Sequence, residues 1–330
     1  MPYHLWPSEA KSSRREFLAT LVVGGAALAY RQTGRDSRAV DSSTDGWFAL
    51  ISDTHIAADP KAKLFGQVMA DNLRLVVADI LSAETRPTGA LIDGDLAFKA
   101  GTEEDYSTLL GLVEPLRAAG IPVHFTLGNH DNRDVFRRAL GSVLPSGKPV
   151  EARQVDAFET LGHRFVLLDS LDKTDQTPGE LGEAQLTWLR RELDSHTDRP
   201  TLVFVHHHPR MDHIKGLVDH EALLGILQSR PWVKALVFGH THHWRLSRAG
   251  DLRLVNLPPV GYPFAPNQPI GYCRFMLEEG KTRFVLRSLG EGRTGADVVW
   301  HTSTGSTGRG PNVGRPRVAW PVRQVSEPAR

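Results

Sequence analysis

Five short apolar runs, WFALISDTH, TGALIDGD, VHFTLGNHD, TLVFVHHH and ALVFGHTHH, each stop abruptly at Asp, Asn or His. This constrains the fold more than any other feature of the 330-residue chain. Each run begins as a β-branched, apolar strand. In α/β proteins the side chains that carry chemistry sit at the carboxyl ends of strands, where loops converge on one crevice. Five strands ending this way bring Asp53, His55, Asp95, Asn129, His206, His240 and His242 into one place.

Between the runs the periodicity changes to that of helices. Over 64–83 the residues Leu64, Val68, Leu73, Val76, Val77, Ile80 and Leu81 recur at helical spacing. Further helices are predicted over 103–119, stopped by Gly120 and Pro122, and over 132–140, 182–195 and 219–229. VDAFETLGHRFVLLDS reads as two antiparallel strands joined at Leu161-Gly162. RLSR and LRLVNL flank Ala249-Gly250-Asp251 as a hairpin, and GYCRFMLE and TRFVLRSL form another around Glu279-Gly280. Helices interleaved with strands early, and hairpins late, imply an α/β chain with mixed sheets covered by helices. No internal repeat is visible.

At the amino terminus Ser13-Arg14-Arg15-Glu16-Phe17-Leu18 precedes a soft apolar stretch from Ala19 to Ala29. Paired arginines, Phe-Leu and a short apolar segment resemble a twin-arginine export signal. Ala27-Leu28-Ala29 fits a small-x-small cleavage site. The expected organisation is therefore a signal peptide over 1–29, a polar linker over 30–45, a catalytic domain over 46–290 and a disordered Gly/Pro/Arg-rich tail over 291–330. The twin-arginine machinery is then a partner, and the mature chain works in the periplasm or outside the cell. The apolar segment is too short to span a bilayer comfortably, so no stable span is expected after cleavage. The alternative is a chain anchored by an uncleaved signal.

Charge narrows the function classes. The tail carries +3 and residues 1–45 carry +1, so the body carries about −3 of the formal +1 total. A slightly acidic body lacks the basic stripe that a phosphate backbone requires, which argues against nucleic acid as a partner. The one cysteine, Cys273, excludes an internal disulfide and a thiolate cluster.

The donors at the strand ends are carboxylate, imidazole and amide. Such a set favours Fe, Mn, Zn or Co over softer metals. Asp53-x-His55 and His240-x-His242 each put two donors on one side of an extended segment, at period two. Gly94 precedes Asp95, where a missing side chain lets backbone come close to a metal, and Gly128-Asn129-His130-Asp131 offers an amide oxygen, an imidazole and a carboxylate in succession. Seven donors are too many for one tetrahedral ion; they suit two ions about 3.5–4 Å apart that share one carboxylate. Two divalent ions outweigh Asp53, Asp95 and a bridging hydroxide, so the site should draw in a phosphate anion and attack phosphorus in line. His130 is the candidate catalytic acid at the leaving group, with Asp131 as its orienting partner. Taken alone, an Asp-x-His is a weak signal, Gly-Asn-His-Asp is more often a turn, and three consecutive histidines read as a surface cluster. Their joint occurrence after successive apolar strands is what points to a metal site.

These motifs, with Leu168-Asp169-Ser170 and Gln185-Leu186-x-Trp188-Leu189, resemble the calcineurin-like metallophosphoesterase superfamily over about 47–290. Within it the chain looks most like the class III cyclic-nucleotide phosphodiesterases and related glycerophosphodiesterases. The resemblance implies a four-layer αββα sandwich with two mixed sheets. It also implies one metal held by Asp53, His55, Asp95 and His242 and the other by Asp95, Asn129, His206 and His240. By the same likeness His206 is the ligand among the three histidines, and His130 meets the substrate phosphate and leaving group. The expected activity is metal-dependent phosphodiester hydrolysis of a small-molecule substrate. The alternatives are an exported phosphomonoesterase, a non-catalytic metal- or phosphate-binding module, and a surface interaction protein acting through the tail. After Pro209 the segment RMDHIKG is more polar than the loop usual in the superfamily, so cyclic nucleotide is not carried over as substrate. Met211, Asp212 and His213 are candidates to face substrate there, and Tyr262 and Phe264 to wall the pocket.

Overall fold

The computed structural model describes residues 45–141, 144, 149–210, 215–289 and 300–301. The leader, nearly all of the linker, Met211, Asp212 and His213, and the tail apart from Trp300–His301 lie outside the described residues. The strands are β1 (Gly46–Ser52), β2 (Lys63–Leu64), β3 (Gln67–Val68), β4 (Ala90–Asp93), β5 (Val123–Thr126), β6 (Asp156–Thr160) and β7 (His163–Leu167). They continue with β8 (Thr201–Phe204), β9 (Val233–Phe238), β10 (Arg245–Ala249), β11 (Leu252–Asn256), β12 (Gly271–Glu278), β13 (Lys281–Ser288) and β14 (Trp300–His301). The helices are α1 (Met69–Leu81), α2 (Glu103–Ala118), α3 (Arg133–Leu140), α4 (Glu183–Ser195) and α5 (His220–Gln228).

A strand buried on both faces needs a layer on each side, and β1, β4, β8 and β9 bury nearly every residue without alternation. The layers are visible in three separate apolar clusters. In the first sheet, ordered β14-β13-β12-β1-β4-β5, Ile51 and Ile92 face Leu73 and Val76 of α1 and Leu109 of α2. In the second, ordered β10-β11-β9-β8-β7-β6, Val203 and Leu236 face Leu189 of α4 and Leu223 of α5. The third cluster joins the sheets themselves, with Phe48, Leu50 and Leu91 packed on Phe165, Phe204 and Val237. The result is helices, sheet, sheet, helices: the expected αββα sandwich. Both sheets are mixed. β1, β4 and β5 run parallel while β12 pairs antiparallel to β1, and β7, β8, β9 and β11 run parallel between the antiparallel edges β6 and β10. Each fully buried Leu, Ile or Phe in these layers contributes roughly 1.5–3 kcal/mol. Cys273 lies in the layer between the sheets as a small apolar filler.

Local chemistry sets the helix starts. Thr102 and Asp105 form a reciprocal capping box at α2, and the Asn132 side chain accepts the Val135 N–H at α3. The helix expected from 64 begins at Met69 instead. Leu64 and Val68 imitate a helical face, but Phe65 and Gly66 both take left-handed φ (49° and 78°) and fold 63–68 into a two-residue hairpin. Two residues of the segment expected to be an unstructured tail, Trp300 and His301, add the edge strand β14 to β13.

Candidate metal centre

The seven predicted donors leave the carboxyl ends of five strands, as the sequence implies. Asp53 and His55 follow β1, Asp95 follows β4, and Asn129 follows β5 in the first sheet. His206 follows β8 and His240 and His242 follow β9 in the second. All seven are buried, and so are His207 and His208, so the histidine run is no surface cluster.

The local backbone differs from the extended, period-two picture. Asp53, His55, Asp95, His240 and His242 all have left-handed φ, between 45° and 66°. A side chain there costs about 1–3 kcal/mol, a strain typical of sites where function outweighs local preference. The left-handed residues turn the chain back on itself, so that Asp53 and His55 reach one donor group while His240 and His242 go to two different groups that share Asp95. Glycine is required where these turns meet. A Cβ on Gly94 (φ 70°) would lie 2.4 Å from the His206 ring, and one on Gly128 would lie 2.2 Å from Asp95 Oδ1.

Two groups of donor atoms result, Asp53, His55, Asp95 and His242 in one and Asp95, His206 and His240 in the other, each within 4.8 Å. Asp95 belongs to both. His55 Nε2 lies 3.1 Å from His242 Nε2 and 3.6 Å from Asp95 Oδ2. His242 Nε2 lies 3.4 Å from Asp53 Oδ1, and His206 Nε2 3.3 Å from Asp95 Oδ2. Donors bound to one cation at 2.0–2.2 Å stand roughly 3.0–3.4 Å from one another, so these spacings suit metal ions. The tautomers agree. His206 Nδ1 donates to the Asp93 carbonyl at 2.8 Å and His242 Nδ1 donates to the Tyr262 carbonyl. Each Nδ1 thereby keeps its proton, which leaves Nε2 as the atom that faces the cluster and ligates once any proton there is displaced, the arrangement that backbone carbonyls impose on metal-ligating histidines. Asn129 Oδ1 is buried with no hydrogen-bond partner, an acceptor in want of a cation. The residues present fit two metal ions.

Electrostatics give the same answer. Burial lowers His55 and His240 to about 3, so both stay neutral and able to ligate. Burial also opposes charge on Asp95, but His206 beside it holds the carboxyl well below the usual range. His206 in turn, against its burial, is raised to about 10 by Asp95 and Asp53. A proton on His206 thus does part of what cations would do for the buried carboxylates.

His130 is a quarter exposed and lies beside the cluster, its ring 5.2 Å from that of His55. Its Nδ1 is 3.1 Å from the Lys99 carbonyl and 3.2 Å from Asp175 Oδ1. Asp131 is placed differently from expectation. Its buried carboxylate accepts the N–H groups of Gly128 (2.9 Å), Leu96 and Ala97 (both 3.2 Å) and the Tyr106 hydroxyl (3.1 Å). It ties the β4 loop to the β5 loop and turns away from the orienting role at His130. Burial and the Asp95 charge push Asp131 up to about 7 against the pull of those N–H donors.

Sequence reasoning missed Asp175, because an Asp in the polar stretch DKTDQ looks solvated. The loop is pinned instead: the Asp175 N–H donates to the Asn129 carbonyl (2.6 Å) and the Thr174 hydroxyl to the Asp131 carbonyl (2.8 Å). The other two signatures are supports. Asp169 receives the Arg133 guanidinium at 2.6 and 3.1 Å and exchanges backbone hydrogen bonds with the Gln185 carboxamide, and Ser170 Oγ meets His207 Nδ1 at 2.8 Å. Tyr262 is buried against His55 and His242, while Phe264 stays half exposed and stacks on His242 at 4.0 Å and 9°.

The family model for calcineurin-like phosphoesterases matches residues 46–244, the segment that contains all seven donors. The chain belongs to the calcineurin-like phosphoesterase family. A 3',5'-cyclic adenosine monophosphate phosphodiesterase, CpdA of Pseudomonas aeruginosa, is 34% identical over 232 residues, 68% of this chain and 80% of its own length. The glycerophosphodiester phosphodiesterase GpdQ of Enterobacter lignolyticus is 29% identical over 64% of this chain and 76% of its own. The crystal structure of a dimetal phosphatase from Danio rerio superposes with a TM-score of 0.60 at 19% identity, over 78% of this chain and 99% of that one, which supports the fold. This calcineurin-like phosphoesterase is thus a member of a family of metal-dependent phosphoester hydrolases. None of its described helices is long and apolar enough to cross a membrane.

Proposed function

We propose that the protein is a dinuclear metal-dependent phosphodiesterase, and the carrying observation is the pair of donor groups that share Asp95. Asp53, His55, Asp95 and His242 would hold one ion, and Asp95, Asn129, His206 and His240 the other. The donor set suits Fe, Mn, Zn or Co. Bound there, the ions supply positive charge for the phosphoryl oxygens and lower the pKa of water toward neutrality.

The chain's own residues do the rest. His130 Nδ1 is held as a donor by the Lys99 carbonyl and Asp175, so Nε2 is the atom left for substrate. In its protonated form Nε2 hands a proton to the departing alkoxide oxygen. Asp175 fixes the ring for that transfer as a positioning residue, and Asp131 keeps the two loops that carry Asp95 and His130 in register. The relatives named for cyclic AMP and for glycerophosphodiesters support the diester reading.

The paired arginines at Arg14 and Arg15 support export by the twin-arginine route, with the mature enzyme in the periplasm or outside the cell. A fusion of residues 1–45 to a reporter tests this, export being expected to fail in an Arg14→Lys/Arg15→Lys double variant.

The central test is metal analysis joined to turnover. The expected result is two ions per chain and hydrolysis of bis(p-nitrophenyl) phosphate that Asp95→Ala abolishes. Saturation at one ion, or full turnover by metal-stripped Asp95→Ala protein, would overturn the reading.

A further inference from the structure

Tyr262 lies on the return that follows β11, and the backbone around it is tied to the loops that carry the metal donors. The N–H groups of Val260 and Gly261 donate to the Ser52 and Asp53 carbonyls at 3.0 and 2.8 Å. The Asn72 carboxamide donates to the Gly261 carbonyl at 2.9 Å, and the Tyr262 carbonyl accepts His242 Nδ1. No side chain fits at Gly261, where a Cβ would lie 2.9 Å from the Asp53 carbonyl oxygen and 3.0 Å from that of Thr54. A residue held in this way is fixed relative to the donors, as a group that acts on a bound substrate must be.

The ring is placed as closely as the backbone. Its centroid lies 4.8 Å from that of His55 and 4.7 Å from that of His242, both members of the first donor group. Phe65 at 5.2 Å and Phe264 at 6.0 Å flank it, and Tyr262 as a whole is 5% exposed.

The hydroxyl is the part that packing does not explain. A buried tyrosine O–H usually finds a partner, yet this one makes no hydrogen bond among the described residues. Taking a hydroxyl out of water without a partner is unfavourable, and phenylalanine would fill the same space without that loss. Nor is the oxygen sealed inside the protein, for it keeps contact with solvent although the ring is packed. Burial pushes the phenol above its ordinary pKa, and the charges of Asp95 and Asp53 push it further, which puts the oxygen within the field of the metal-binding carboxylates.

A fixed and unpaired O–H beside two cation-binding imidazoles calls for an acceptor that arrives from outside. A phenol is neutral at pH 7, so it donates without adding charge to the site. His130 already serves the departing oxygen, which leaves the phenol for an oxygen that stays on phosphorus. Charge on those oxygens changes as the bonds to phosphorus form and break, and a preorganised donor there is worth more than water.

We propose that Tyr262 is a further catalytic residue, whose hydroxyl donates a hydrogen bond to one non-bridging oxygen of the phosphodiester. The inference rests on the phosphodiesterase reading, and its test separates the two.

Tyr262→Phe removes one oxygen atom. In the metal-loaded full chain it is expected to keep two ions and the native Tm. It should lower kcat for methyl p-nitrophenyl phosphate about 100-fold, with KM changed less than about threefold. The two phosphorothioate diastereomers of that diester give a readout that packing alone would not move, because sulfur accepts hydrogen bonds poorly. The penalty for sulfur at the phenol's oxygen should shrink about tenfold in Tyr262→Phe, while that of the other isomer stays. Inorganic phosphate, titrated by calorimetry, should bind the variant about fivefold more weakly than the native protein. Native kcat in the variant, or sulfur penalties equal to the native ones at both positions, overturns the proposal and leaves the phosphodiesterase reading intact. Loss of an ion or of several degrees of Tm would assign the hydroxyl to ligation or packing and also overturn it. If native protein with two ions hydrolyses no diester, the phosphodiesterase reading fails. The phosphate titration then decides the phenol by itself, and equal affinity in the two proteins overturns it.

Discussion

Asp175 stands at His130 Nδ1 where the sequence suggests Asp131, and a pair of conservative substitutions separates the two carboxylates. At pH 8.5 Asp131, raised to about 7, is ionised and accepts three buried backbone N–H groups and one phenol. In Asp131→Asn the carboxamide keeps one oxygen, enough for Gly128 and Leu96 or for Ala97 and Tyr106, and turns an NH₂ toward the rest. At least one backbone N–H is left buried and unpaired, which costs about 1–3 kcal/mol, and the surviving charge-assisted bonds weaken by about 1 kcal/mol each. The total of about 3–5 kcal/mol is a large part of a typical stability of about 5–15 kcal/mol and should lower Tm by roughly 10 °C. Asp175 is more than half exposed, so Asp175→Asn should change stability by about 0.5 kcal/mol or less. It removes the partner of His130 Nδ1, however, and should lower kcat about 10- to 100-fold. Urea unfolding at pH 8.5 and turnover of a phosphodiester by the two variants provide the assay. An Asp131→Asn protein within about 1 kcal/mol of native stability, with activity below that of Asp175→Asn, would refute the reasoning and return Asp131 to His130.

Three further outcomes follow from the geometry. Gly94→Ala places a methyl group into the His206 ring from a left-handed backbone position, so the protein should fold but bind its second ion at least about tenfold more weakly, as read by metal titration. Because His206 is raised to about 10, cation binding at pH 7.5 must displace its proton, and calorimetry in two buffers of different ionisation enthalpy should report at least about one proton released per chain, with any ionised bound water adding to it. His163, which donates from Nδ1 to Leu161 and accepts at Nε2 from Thr282 across the two sheets, is lowered by burial to about 4. Its folded pKa lies below the unfolded one, so its neutral state is unstrained above 6.5 and stability falls as pH drops from 6.5 toward 4. The loss approaches about 3 kcal/mol and should be missing from His163→Gln in urea melts across that window.

The strands and the metal donors were legible because their signals are local. A doubly buried strand is an apolar run whatever its partners, and a run that ends in Asp, Asn or His announces a loop at the sheet's edge. The resemblance implied two mixed sheets in a four-layer sandwich, but the order of strands, the division of the donors between the sheets, and the layer of Phe48, Phe165 and Phe204 between them depend on long-range pairing that no periodicity encodes. Three errors had physical causes. Leu64 and Val68 share helical spacing, but only the left-handed Phe65-Gly66 turn reveals the hairpin. Asp-x-His reads as an extended pair, although both residues take left-handed φ. Asp131 precedes a helix and follows His130, which suggests a local dyad. Its true partners, Leu96, Ala97 and Tyr106, lie about 25–35 positions earlier in the chain, and no local pattern encodes them. Asp175 was invisible for the same reason, since its loop is placed by a backbone hydrogen bond to Asn129 and by the Thr174 hydroxyl on the Asp131 carbonyl.

The division of the seven donors between sheets has a consequence for assembly. Asp53 leaves the first strand and His242 follows the ninth, 189 positions later, so no piece of the chain shorter than the stretch 53–242 owns the complete set of ligands. Cation capture must come after both sheets have docked, and each ion then acts as a clasp across their seam. A cell that withholds metal would accumulate an intact sandwich with an unfastened rim.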